Sequence, residues 1–399
     1  MRAVIDYSQL PFREHFPDPT EFAGNKEMAT HYYRIKDIRK TENTRLFFTK
    51  SLDDNVHIVM KMLRKYKDVR YNLSTPANRQ RCQCEGLRWN RRFTSDVYLG
   101  LARFCLVDRP SKVVGLADII ENPEPEELDR DGEYVILMRE LPKSRRLDML
   151  LKGANQFVAE YYWPDMHILT QYIAHLHTSL ADIAALKRED GVWGSPEQLK
   201  KKLHHNLAFV NQSLLTKQDD QHLMYYNALK KTYTLLKDDL LQFFDEGSKY
   251  PQYFRQRLAG GFIRRCHGDL KGRNIWIYPY TGKSLEDAQK CVKVLDAVDF
   301  NPMYSNIDIL SDFAMLVVDV QARAQSPLLA DRMIEDYLNL TGQENKVSRA
   351  VLAYYLVEKA FIGGIVNIIY DNNPTLGVAF LQVAEMRMRE LKRHIRMSL

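Results

Sequence analysis

Cysteine is scarce and unpatterned in this chain: five occur in 399 residues, an odd number, and only Cys82-x-Cys84 sets two close together. That excludes a disulfide framework and fits a reducing, cytoplasmic compartment. A Cys-x-Cys pair could bind metal, but no second Cys/His pair stands at zinc spacing, so the two read as ordinary thiols. No apolar run is long enough to span a bilayer, and Met1 to Phe16 carries Asp6, Arg13 and Glu14 where a secretory signal would have an apolar core. There is no internal repeat and no low-complexity linker. Ser-His-Asp hydrolase chemistry lacks its G-x-S-x-G support. Thr281-Gly282-Lys283-Ser284 ends like a phosphate-binding P-loop, but Ile277 stands where the first glycine belongs, so the stretch reads as a turn. The excess of positive charge is only +6, a weak preference for anionic ligands and no basis for nucleic-acid binding.

What remains is a composition, 45% hydrophobic and 27% charged, that suits a globular chain with a large core, as one two-lobed unit or two domains. Pro11, Pro17 and Pro19 make residues 1–40 a peripheral arm or cap. From Thr44 the texture turns β-rich. Arg45–Thr49 and Val56–Met62 flank Ser51–Asn55 as a hairpin, which puts Lys61 near a strand end. Asn78–Arg92 is helix-compatible and basic, with Glu85 its only acid. Val113–Asp118 and Glu133–Met138 add two strands. Helical spacing then dominates, over Asp165–Lys187, twice within Leu199–Phe244, over Ser311–Ala324 and Val347–Tyr370, and in a basic stretch over Glu385–Arg396. The expected organisation is α+β: a small β-rich lobe over 41–138, a hinge at 139–145 around Arg139-Glu140-Leu141-Pro142, and a helical lobe over 146–399.

Two short stretches carry chemistry. Cys266-His267-Gly268-Asp269-Leu270-Lys271-Gly272-Arg273-Asn274 and Val294-Leu295-Asp296-Ala297-Val298-Asp299-Phe300 each set acidic or amide groups just beyond a short apolar run. Phosphoryl transfer offers a protein little covalent chemistry, so it works by positioning the acceptor and neutralising charge. One carboxylate takes or orients the hydroxyl proton, while an amide oxygen and a second carboxylate suit Mg²⁺, which prefers oxygen ligands. Asp269 fits the first role, Asn274 the second and Asp299 the third. The four residues between Asp269 and Asn274 match D-x-x-x-x-N.

Cys266–Leu270 with Asn274, Val298-Asp299-Phe300 and Asp312-Phe313-Ala314 together resemble the aminoglycoside phosphotransferase branch of the protein-kinase-like fold. More narrowly, the chain is similar to the kinase-like half of bacterial proteins in which that domain is fused to a P-loop half. The likeness runs from about Thr41 to the last helices and includes Leu73-Ser74-Thr75, Leu87–Arg92, Asp96–Leu99 and Asp296–Pro302. The resemblance implies a bilobal fold and an ATP- and Mg²⁺-dependent kinase acting on a hydroxyl of a small polar molecule. It implies Asp269 as the acceptor-orienting base, His267 as a brace for its loop, and Asn274 and Asp299 as metal ligands with Asp296 supporting. Lys61 is expected on the nucleotide phosphates, held by Glu85, with Met138 and Glu140 in the hinge meeting adenine.

Two features depart from that pattern. No glycine-rich loop precedes Lys61, which leaves Thr41–Thr44 and Ser51–Asn55 as phosphate covers. Lys271, two residues after Asp269, matches protein Ser/Thr kinases and keeps a protein substrate open; a lysine there stabilises charge on the transferring phosphate. A non-catalytic pseudokinase is the alternative from another class. Asp308 and Asp312 read as anchors of the loop and the next helix start. His175-x-His177 does not share a helix face, so it is not a metal pair. Tyr161-Tyr162-Trp163 reads as packing.

Overall fold

The computed structural model describes residues 28–396, except 42, 68–71, 109–110, 153–158, 181–186, 189–190, 217–222, 246, 280–287, 289 and 300. Residues 1–27 of the expected arm, position 42 of the expected phosphate cover, Phe300 and Thr281–Ser284 therefore lie outside the described residues. Contacts divide the chain into two units, one of 5–142 with 295–302 and one of 143–294 with 303–399, beyond a four-residue N-terminal piece.

In the first unit, alternation along the strands sorts side chains by face. β1 (His31–Lys40), β2 (Thr44–Ser51), β3 (His57–Leu63), β4 (Tyr98–Asp108), β5 (Val113–Ile120) and β6 (Tyr134–Arg139) form a closed barrel in the order β1-β2-β3-β6-β4-β5, with β1 also paired to β5. Every pairing is antiparallel. Closure leaves no sheet edge exposed to other chains. Phe47, Ile58, Met60, Met62, Ala102, Phe104, Val114, Leu116, Val135 and Leu137 fill the interior. The intervening Val59 and Lys61 of β3 face the other way.

α1 (Pro76–Arg91) starts at Thr75, whose hydroxyl accepts the Asn78 N–H, and Pro76 occupies the first helical turn. Its inner face is largely polar. Arg79 pairs with Glu133, while Gln80 and Gln83 donate to the backbone carbonyls of Asp129, Gly132 and Tyr134. Side-chain-to-backbone bonds thus do much of what an apolar stripe usually does.

Residues 31–40, expected in the arm, are a barrel strand; five charged residues among the ten hid the alternation. β4 also escaped the sequence reading. Residues 295–302, expected with the helical lobe, cluster with the barrel unit.

The second unit is helical: α2 (Leu147–Leu150), α3 (Ala159–Ser179), α4 (Pro196–Thr216), α5 (Leu223–Gln242), α6 (Tyr250–Ala259), α7 (Pro302–Ser305, from Met303 on), α8 (Ile309–Ala324), α9 (Pro327–Leu340), α10 (Lys346–Ile369) and α11 (Pro374–Arg396). Short two-stranded ladders join β7 (Lys187–Arg188) to β8 (Gly191–Val192), β9 (Ile263–Arg265) to β12 (Asn306–Asp308), and β10 (Ile275–Ile277) to β11 (Val292–Val294). α10 corrects the expectation about bilayer-length runs: its 24 residues reach a mean hydropathy of 1.5 over an 18-residue window, of which 78% is buried inside the protein. Leu352, Leu356 and Phe361 of α10 lie in this unit's core with Phe313 of α8 and Phe380 of α11. Its apolar character is accounted for by packing.

Arg257 of α6 makes a buried, two-pronged pair with Asp308, at 2.8 and 2.7 Å. Asp308 also caps α8 by accepting the Leu310 N–H. The five cysteines are all free thiols.

Candidate active site

The nine-residue stretch of the second unit begins where β9 ends. β9 pairs with β12, and the Cys266 N–H donates to Ser305 O at 2.6 Å, so the loop leaves the ladder at a fixed point. Gly268 sits at φ +82°, a left-handed conformation that a side chain would strain. The chain then runs through a 3₁₀ turn, Gly272–Asn274, into β10.

Within this loop the expected residues converge on Asp269. Asn274 Nδ2 donates to the Asp269 carbonyl at 2.9 Å and to its carboxylate Oδ2 at 3.1 Å. Lys271 Nζ stands 2.8 Å from the same Oδ2. His267 is buried, and its Nδ1 accepts the Asp269 N–H at 3.2 Å. With Asn274 Nδ2 engaged on Asp269, the other pole of that amide is an oxygen, the donor type Mg²⁺ takes.

The loop is held from behind by α8. Asp312 accepts the His267 N–H at 3.0 Å and the Gly268 N–H at 2.9 Å. Its Oδ2 also meets His177 Nε2 at 3.2 Å, and His177 Nδ1 meets the Tyr337 hydroxyl at 2.7 Å. Burial opposes ionisation of Asp312, but His177, His267 and the Gly268 N–H outweigh it and hold the carboxyl below its ordinary range. One helical face further along, Asp319 accepts the Gly272 N–H at 2.7 Å and pairs with Arg323. Burial, then Asp312, pushes the Cys266 thiol well above its usual value. His177, Cys266 and Asp312 bring ligand-type atoms within 4.8 Å of one another, yet His177 is engaged with Asp312 and Tyr337, and Asp312 with the loop.

The first unit holds the other half of the expected set. Lys61 Nζ pairs with Asp296 Oδ1 at 2.7 Å. Burial disfavours its charge, but Asp296 and then Asp299 override this and keep the ammonium well above the usual lysine range. Among the described residues no ion pair joins Lys61 to Glu85, which is exposed. Helix phase explains it: Arg79, Gln83, Gly86, Leu87 and Asn90 face inward, and position 85 falls on the outer side.

Asp296 adopts φ +64°, with its side chain 61% exposed. Asp299 lies against Gly86, where a Cβ would run into its carboxylate. Cys82, one turn earlier on α1, has its thiol pushed up to about 11 by burial, with Asp299 and Glu85 adding to it. Met138 pairs with Val59 and Tyr98 in the barrel ladder, and the Glu140 N–H donates to His57 O.

Four residues carrying these loops had no role in the sequence reading: His177, Asp319, Asn90 and Tyr98. Asp312 and Asp319 are seven apart in a mostly apolar helix, a spacing that places both on one face and was the available signal. Asn90 and Tyr98 fell inside stretches noted for resemblance alone.

No family model and no curated protein matches the sequence. Similar solved structures include choline kinase from Cryptosporidium parvum Iowa II, with 11% identity, a TM-score of 0.46, and 91% of this chain and 89% of that one covered. Ethanolamine kinase from Plasmodium vivax has 10% identity, a TM-score of 0.42, and coverage of 88% and 80%. A glucosamine kinase in complex with glucosamine, ADP and inorganic phosphate has 10% identity, a TM-score of 0.43, and coverage of 94% and 97%.

Proposed function

We propose that the chain is a phosphotransferase of protein-kinase-like fold that moves the γ-phosphoryl group of ATP, with Mg²⁺, to a hydroxyl of a small polar molecule such as a sugar or an aminoglycoside-like compound. The observation that carries this reading is the Asp269 loop. The Asp269 carboxylate is oriented by Asn274, flanked by the Lys271 ammonium, and carried on a loop whose His267 and Gly268 N–H groups are fixed to a buried aspartate.

Such a loop suits a step in which the acceptor hydroxyl must be aimed and relieved of its proton. Asp269 orients the hydroxyl and takes that proton. Lys271 faces the charge that gathers on the transferring group, in a fixed position that needs no reorganisation. His267 and Asp312 keep the loop backbone from swinging. Lys61 meets the nucleotide phosphates, with Met138 and Glu140 toward the base.

Asp296 and Asp299 of the first unit offer carboxylate oxygens and Asn274 of the second an amide oxygen, the donor types a hard divalent ion takes; such an ion would supply charge neutralisation on the phosphates when bound. The exposure of Asp296 favours it over Asp299 as the principal carboxylate, and its pairing with Lys61 gives it the orienting part expected of Glu85.

Asp269→Asn in the purified full chain is expected to keep Mg·ATP binding and lose transfer by roughly 10²- to 10⁴-fold. The assay is ATP consumption across sugars, aminoglycosides and protein extracts. Unchanged turnover in the variant sinks the mechanism. Turnover on protein extracts alone replaces the small-molecule acceptor by a protein one, and nucleotide binding with no turnover on any acceptor favours a pseudokinase.

A further inference from the structure

The acidic loop turns through a conformation that its own sequence does not favour. Asp296 is a non-glycine residue at φ +64°, an uncommon region for a residue with a Cβ, although aspartate visits it more readily than most. Such strain persists only where neighbours over-determine it. Here the neighbours are Asn90 of α1 and Tyr98 of β4.

The Asp296 N–H donates to the Tyr98 hydroxyl oxygen at 3.0 Å, and the Ala297 N–H donates to Asn90 Oδ1 at 2.8 Å. Tyr98 in turn gives its hydroxyl proton to Asn90 Oδ1 at 3.0 Å, and Asn90 Nδ2 anchors on Gly86 O at 2.9 Å. Asn90 is 2% exposed and Tyr98 3%, so solvent does not compete for these bonds. Two consecutive backbone amides are thereby fixed, and with them the direction in which the Asp296 side chain leaves the chain.

We propose that Asn90 and Tyr98 are positioning residues that aim the Asp296 carboxylate at a bound divalent cation, acting through the backbone N–H groups of residues 296 and 297. The proposal rests on the phosphotransferase reading above, since it supplies the cation. Neither side chain touches substrate or metal. Gly86, on the same face one turn before Asn90, leaves room for Asp299 beside the loop. Without the clamp, φ of Asp296 relaxes to the negative side, and its carboxylate points away from Lys61 and from any ion.

The test uses Mn²⁺ as the probe, titrated into the full chain with ADP and followed by electron paramagnetic resonance, beside calorimetry of ADP alone in EDTA. Tyr98→Phe removes one oxygen and keeps the ring; Asn90→Leu removes the acceptor from the other side. Each is expected to weaken Mn²⁺ uptake by the ADP complex roughly 10-fold or more, the usual effect of losing an outer partner of a metal ligand. ADP affinity without metal should fall less than Mn²⁺ uptake does, by no more than the part Asp296 plays in orienting Lys61, and the double variant should be little worse than the stronger single, since both act through one loop.

A melting-temperature loss with Mn²⁺ affinity unchanged assigns the pair to packing and overturns the proposal. Should Asn90→Leu fail to fold, Tyr98→Phe decides alone. Wild-type protein that takes up no Mn²⁺ with ADP overturns the phosphotransferase reading and the proposal together, whereas normal wild-type uptake with unaffected variants overturns only the positioning roles.

Discussion

The two functional loops are held in opposite ways. In the helical unit, the Asp269 loop rests on ionised groups buried in α8: Asp312 receives two of its N–H groups and Asp319 a third. In the barrel unit, the Asp296 loop rests on neutral groups, the Asn90 amide and the Tyr98 hydroxyl. A carboxylate makes stronger hydrogen bonds than a neutral acceptor, but it must be kept charged away from water. Asp312 manages this with His177 beside it. Neutral anchors hold less firmly, yet they add no charge next to Asp296 and Asp299, which already share Lys61. On the proposed function, a loop that carries one carboxylate to meet an acceptor tolerates a negative brace behind it, and a loop that carries two toward a cation is better held without one.

The contrast can be broken most directly at Asp312. Asp312→Ala leaves two loop N–H groups and His177 without their acceptor in a buried place, and a loss of roughly 3–5 kcal/mol is expected in urea unfolding. A loss under about 1 kcal/mol would erase the distinction between charged and neutral anchoring.

Lys359 sharpens it through pH. This buried lysine of α10 has its pKa lowered to about 8, by burial first and then by Lys202, while Glu358 and Asp312 act the other way. The unfolded chain therefore binds more protons than the folded one between about pH 8 and the usual lysine value near 10.5. Stability should rise across that window, by an amount of order 3 kcal/mol, and Lys359→Met should lack that rise. Melting of both proteins from pH 7.5 to 10.5 measures the difference; parallel profiles would show that Lys359 is not held in its neutral direction.

The smallest effect is expected at Glu85. Because it is exposed while Asp296 takes Lys61, Glu85→Gln should change stability by no more than about 0.5 kcal/mol and leave ADP affinity near wild type. A tenfold loss of ADP affinity would restore Glu85 as the partner of Lys61.

Much of this arrangement was legible along the chain. The β2–β3 hairpin, α1 and α8 lie within a few residues of their expected places, because each carries a local signal: a turn, a cap or a 3.6-residue period. The grouping of His267, Asp269, Lys271 and Asn274 in one loop was legible too, since all lie within eight residues, but the bonds that Asn274 and Lys271 make to Asp269 were not. β1 was not, because its mostly exposed face is charged and its pairing with β5 joins residues some 80 apart. The partner of Lys61 was not legible for a similar reason. Glu85 was selected by resemblance, but the phase of α1 turned it outward and brought in a residue 235 positions away.

The sequence by itself determined the chemistry available: which acids and amides stand near one another on the chain, and that each follows a short apolar run able to end as a strand. Only the tertiary structure decided how those groups are supported and aimed. Buried anchors such as His177, Asp319, Asn90 and Tyr98 gain their meaning from low solvent access and from partners far away in sequence, and neither is a property of a local stretch of residues.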